Sequence, residues 1–152
     1  MVLANREAIK HLWPFTDTPH VLAALVKEQT GLAGVLLRHY GITVNSMRKA
    51  VRRSIPRAWA FHVFQKLPLS ADVDAVVSQA RQYALSEKYD AVGTGGVLLA
   101  MVRYDTQTNG LLHSLGAEIM ALEKDLIKYL HRFMVEAPGQ VLHLDLADRP
   151  AA

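Results

Sequence analysis

Seven histidines, one glycine-rich stretch and a scatter of carboxylates are the residues of this 152-residue chain whose types suit chemistry. Two imidazoles share a metal ion when helical spacing puts them on one face. No His-x-x-x-His or Glu-x-x-His pair occurs around His11, His20, His39, His62, His113, His131 or His143, so solvent-facing or capping roles are expected and no metal site. The stretch Val92-Gly93-Thr94-Gly95-Gly96 has the look of a phosphate cradle. A P-loop, however, needs Gly-x-x-x-x-Gly-Lys-Ser/Thr, and the chain has no Lys-Ser or Lys-Thr pair. A dinucleotide-binding loop follows a strand, whereas helical periodicity precedes this one. Thr94 therefore reads as a helix cap and the glycines as a tight turn, with helix-start amides suited to an anion. No Gly-x-Ser-x-Gly elbow occurs, and spacing singles out no carboxylate pair. The residues point to no catalysis and no cofactor.

These residues sit on a duplicated scaffold. Thr18-Pro19-His20-Val21-Leu22-Ala23-Ala24-Leu25 and Thr94-Gly95-Gly96-Val97-Leu98-Leu99-Ala100-Met101 open two apolar stretches, 76 positions apart from Thr18 to Thr94. Gly41 and Gly116, 75 apart, close the element that follows each. In the first copy a helix from about Leu3 to Leu12 is stopped by Pro14. Thr16, Asp17 or Thr18 caps the next helix, with Pro19 at its first position. Thr30-Gly31 separates it from a short helix, Leu32 to Tyr40, and Thr43 caps a fourth with Val44, Met47 and Val51 inward. In the second copy Ser70 caps a long helix carrying Asp72 and Asp74 in its first turn and Val73, Val76, Val77, Ala80, Tyr83 and Ala84 on its inner stripe. A helix from Thr94, a break over Asp105 to Thr108, a short helix to Gly116 and a long amphipathic helix complete it, ended by Pro138-Gly139.

The expected fold is all-α: a tandem repeat of two four-helix units, about eight helices, packed as one pseudo-twofold domain over residues 1–137. Repeat one spans 1–54, a connector 55–69 and repeat two 70–137; a tail, 138–152, alternates from Val141 to Leu146 like an edge strand. The connector holds Trp59, Phe61 and Phe64, which either cover the seam between repeats or form an exposed partner-binding patch. The first helix is short beside the one that Ser70 caps, which points to further residues upstream.

Composition bounds the rest. A hydrophobic fraction of 51% with 20% charged residues is that of a folded protein with a real core. The absence of cysteine removes disulfides and thiolate chemistry and fits a reducing compartment. No apolar window reaches membrane-helix length and no signal peptide opens the chain, so a cytoplasmic location is expected, with no membrane partner. The net charge is +3, with the excess gathered at Arg48, Lys49, Arg52, Arg53 and Arg57. Such a run attracts an acidic partner or nucleic acid. Nucleic acid is the weaker reading, since no stacking-aromatic or groove-reading motif accompanies the charge.

The two helix starts, about 75 residues apart, resemble the repeated Gly-Thr-Glu-His-hydrophobic-Leu-Leu-Ala-Leu pattern of the N-terminal repeat domain of Clp-type AAA+ unfoldases, ClpC and ClpA especially. Gly93 to Met101 matches the second copy, Thr18 to Leu25 the first, Gly41 and Gly116 the closing glycines, and Leu67-Pro68-Leu69-Ser70 the entry to the second half. The resemblance covers residues 1–135. It implies a non-catalytic protein-binding module that receives substrates or adaptor proteins for a Clp-type unfoldase or protease. It also leaves open a freestanding accessory or scaffold subunit that docks on a Clp complex. From another class, a small basic helical nucleic-acid-binding protein remains as the alternative. ClpC-like relatives read phosphoarginine through a motif Glu; that position holds Pro19 and Gly95 here, which argues against a phosphoarginine ligand. The expected partner-binding residues are Thr18, His20, Thr94, Gly95 and Gly96 at the two helix starts, with Trp59, Phe61 and Phe64 from the connector.

Overall fold

Alanines at helical spacing and two runs of buried aliphatic residues set the architecture. The computed structural model describes residues 1–10, 13–54 and 67–133. Among these it contains α1 (Val2–Lys10), α2 (Thr18–Glu28), α3 (Leu32–His39), α4 (Val44–Ser54), α5 (Ala71–Ser86), α6 (Thr94–Tyr104), α7 (Thr106–Ser114) and α8 (Ile119–His131). The connector aromatics Trp59, Phe61 and Phe64, the alternating tail and the Pro138-Gly139 stop all lie outside the described residues.

Helices α1–α4 and α5–α8 are two copies of one unit. With an offset of 76, the buried Ala4, Ala8, Leu22, Leu25 and Val26 fall on the buried Ala80, Ala84, Leu98, Met101 and Val102. With an offset of 75, Leu36, Leu37, Ile42, Met47 and Val51 fall on Leu111, Leu112, Ala117, Leu122 and Leu126, again all buried. Small residues let α1 lie close on α2 and α5 on α6, while the larger aliphatic side chains fill the centre. Each fully buried Leu contributes about 1.5–3 kcal/mol of hydrophobic stabilisation.

The copies pack crosswise. α3 contacts α6 and α8 of the other copy, and α7 contacts α2 and α4. The turns that make this possible are alike: Gly41 and Gly116 have φ of 77° and 84°, a left-handed conformation that a side chain disfavours. Thr43 caps α4 as expected, its hydroxyl accepting from the Ser46 N–H at 3.1 Å. Ser70 Oγ likewise accepts from the Val73 N–H at 3.2 Å and starts α5.

Two local expectations are corrected. The interruption between α6 and α7 is Asp105 alone, and Thr106 to Thr108 are already helical. The Asp105 carboxylate takes the N–H groups of Gln107 and Thr108, so a new helix starts where the previous one stops. At α2 the cap is Asp17, so Thr18 is the first helical residue and Pro19 the second.

Residues 67–69, the described end of the connector, lie beside the start of repeat one. Thr16 donates its N–H to the Pro68 carbonyl at 2.8 Å and accepts from the Ser70 N–H at 2.9 Å, an isolated parallel bridge between Thr16 and Leu69. Asn5 Oδ1 accepts from the Leu67 N–H at 2.9 Å. No helix among the described residues is long and apolar enough to cross a membrane.

Candidate partner-binding groove

The expected site residues open α2 and α6, and the two starts differ. At α2, Asp17 accepts from the Thr18 N–H at 2.9 Å, while its own N–H donates to His20 Nδ1 at 3.1 Å. This is a capping box with imidazole where Glu or Gln usually stands. Ser70 Oγ donates to the same Asp17 carboxylate at 2.9 Å, joining the start of α2 to the start of α5. Thr18 and His20 are fully buried, and the Thr18 hydroxyl donates to Gln107 Oε1 on α7 at 3.3 Å.

At α6 the N-cap is Gly93, which offers no side chain to the free amides. Thr94 Oγ1 instead accepts from the Ala33 N–H of α3 at 3.4 Å. Gly95 is buried where a Cβ would stand 2.7 Å from Leu32 Cδ2 and 3.1 Å from Leu130 Cδ2, so any side chain there must push those leucine tips aside. Gly31 has the same role from the other side, since a Cβ there would collide with Thr94 Oγ1. Gly96 is also buried, yet a Cβ would meet only Val92 Cγ1, at 3.9 Å.

Beside the α6 start lies a groove of about 480 Å³, walled by α1, α2, α5 and α6. Of the expected residues it exposes Thr94; Thr18, His20, Gly95 and Gly96 do not line it. Its walls are mainly apolar, with Val21 and Leu25 from α2, Val77 from α5 and Val97 from α6. Glu28 and Arg81 are the charged members of the lining. Met1, Val2 and Val92, also in the lining, are 54%, 69% and 39% exposed, an unusual concentration of accessible aliphatic surface for one end of a small domain. Sequence reasoning missed these wall residues because they come from four helices, each contributing positions that also read as ordinary core.

Electrostatics tie α1 to this frame. Glu7 is buried, and its Oε1 accepts from Lys10 Nζ at 3.1 Å and Lys27 Nζ at 3.4 Å. Burial pushes its pKa up, but the hydrogen bonds and charges of Lys10 and Lys27 together outweigh that and hold it below 4.5. Among the described residues no group of three His, Cys, Asp or Glu side chains is placed to hold a metal ion. The groove presents apolar surface with a charge of each sign.

The comparisons with known proteins concern the fold and the family. The sequence profile of the Clp repeat (R) N-terminal domain matches residues 1–115. A probable ATP-dependent Clp protease ATP-binding subunit of Chlamydia pneumoniae is 27% identical over 137 residues, 90% of this chain and 16% of that protein. The chain spans 14–16% of the length of the first curated relatives it matches. The N-terminal domain of the chaperone ClpD from Arabidopsis thaliana superposes with a TM-score of 0.72 at 22% identity, covering 85% of this chain and 90% of that one. A complex of the ClpV N-domain with a VipB peptide superposes with a TM-score of 0.61 at 16% identity, covering 84% and 79%. The fold, the duplication and the profile match together place this chain in the Clp repeat N-terminal domain family.

Proposed function

We propose that the chain is a non-catalytic protein-binding module that receives substrates or adaptor proteins for a Clp-type AAA+ unfoldase or protease, in the cytoplasm. The observation that carries this reading is the apolar groove beside Thr94, open to solvent and flanked by Glu28 and Arg81. A related N-domain of the same fold has been seen with a peptide bound, which supports a polypeptide as the kind of ligand. Thr94 meets the ligand directly. Thr18, His20 and Gly95 act by holding the two helix starts in place.

The test is fluorescence anisotropy of a labelled unfolded polypeptide, such as a reduced and carboxymethylated model substrate, titrated with the purified chain. Val97→Glu places a charge in the groove wall and is expected to weaken binding about tenfold while the chain, somewhat less stable, stays folded. Equal binding by the variant and the parent chain overturns the reading.

A further inference from the structure

The crosswise packing creates two equivalent junctions, α3 on α8 and α7 on α4. In the first, the Tyr40 hydroxyl donates to Asp125 Oδ2 at 2.7 Å. The offset of 75 carries Tyr40 to Leu115 and Asp125 to Ala50. The second junction therefore lacks both the phenol and the carboxylate, and a groove of about 380 Å³ lies there, floored by Ala50 and Leu115. Lys49 and Arg53, both exposed, line it one helical turn apart, a rise of about 6 Å.

Among the described residues the charges around that groove are uncompensated. α4 carries Arg48, Lys49, Arg52 and Arg53 and no acidic residue. None of the four enters an ion pair among the described residues. The equivalent stretch of α8, by contrast, includes Glu123 and Asp125, and both have partners. We propose that the α4–α7 groove docks an acidic segment of a partner protein, in which a carboxylate beside an aromatic side chain occupies the place that Asp125 and Tyr40 fill at the other junction. An acidic polypeptide fits better than nucleic acid because the floor is aliphatic and neither helix offers a Phe, Tyr or Trp for base stacking. The groove shares no residue with the apolar groove beside Thr94, and the two proposals stand or fall separately.

The experiment is anisotropy with a labelled helical peptide bearing Phe and Glu one turn apart, its Glu→Gln version, and a single-stranded DNA oligonucleotide as competitor. Binding is expected to weaken about tenfold for the Glu→Gln peptide and for a chain with Lys49→Glu and Arg53→Glu, and to fall as salt rises. A second variant, Ala50→Asp with Leu115→Tyr, fills the groove with the pair present at the other junction and is expected to abolish binding while the chain stays folded. Val97→Glu is expected to leave this binding unchanged. No binding of the Glu peptide, equal affinity for its Gln version, or indifference to both groove variants overturns the proposal. So does tighter binding of the oligonucleotide, which assigns the basic face to nucleic acid.

Discussion

The two repeats bury the same central positions, such as Leu22 with Leu98 and Leu36 with Leu111, yet they differ where pairs of side chains close gaps. Lys27 of the first repeat and Arg103 of the second are equivalent cations, as are the positions of Glu7 and Tyr83 that each one meets. In repeat one the pair is an ion pair with a buried carboxylate. In repeat two the guanidinium lies over a phenol ring, 5.7 Å from its centroid, and binds Glu123 of α8 at 2.7 Å instead. The start of α2 is sealed by Asp17, His20 and Ser70, whereas the start of α6 is bare and lines a groove. The α3–α8 junction is plugged, and the α7–α4 junction is open. Duplication preserved the core, which tolerates little change, and left the closures free to diverge. Openings arose at different places in the two copies.

If the copies form one cooperative body, Leu22→Ala and Leu98→Ala, at equivalent and fully buried sites, should each cost about 2–5 kcal/mol. Both variants are expected to unfold in urea in a single transition; a biphasic curve for either one would mean that the repeats melt separately. Gly95→Val tests the bare helix start and is expected to cost about 1–3 kcal/mol by forcing Leu32 and Leu130 aside. Gly96→Ala, one position on, should be neutral or gain up to about 1 kcal/mol in the same thermal melts. Asp17→Ala removes the cap of the sealed start and should lose about 1–2 kcal/mol. Gly93→Asp supplies the missing cap at an open, extended position and should gain about 0.5 kcal/mol.

The smallest effect concerns pH. The folded pKa of Glu7 is depressed, so its contribution is complete above the ordinary value of 4.5 and is lost as pH falls through the folded value. Melting temperature should therefore drop on acidification below pH 4.5, less steeply in Glu7→Gln. A Tyr83→Phe change in repeat two is expected to leave that acid limb untouched, because no carboxylate stands at its equivalent position.

Much of this frame was legible in the residues because its signals are local. The Ser70 and Thr43 caps and the inner stripe of the helix that Ser70 starts each concern neighbours within a turn or two of helix, and the 75-residue spacing of Gly41 and Gly116 repeats one such local stop. Asp17 was among the cap candidates, but His20 as its partner was not visible, since imidazole is a rare third member of a capping box. The Asp105 junction was read as a longer break because Thr-Gln-Thr-Asn favours turns as readily as a first helical turn. Neither groove could be read in advance. One takes its walls from four helices, and the other exists only because Leu115 and Ala50 stand where Tyr40 and Asp125 stand in the other copy.

The crosswise junctions also carry a consequence for the order of events during synthesis. Thr18 bonds to Gln107, 89 positions on, and Tyr40 to Asp125, 85 positions on. A ribosome adds that length in roughly 4–18 s, during which α2 and α3 exist without the helices that cover them. The aliphatic face of the first repeat is thus exposed to the cell for seconds in every molecule made, and closes only when α7 and α8 have emerged. A module whose relatives include Clp chaperones passes through an interval in which it resembles an unfolded chain itself.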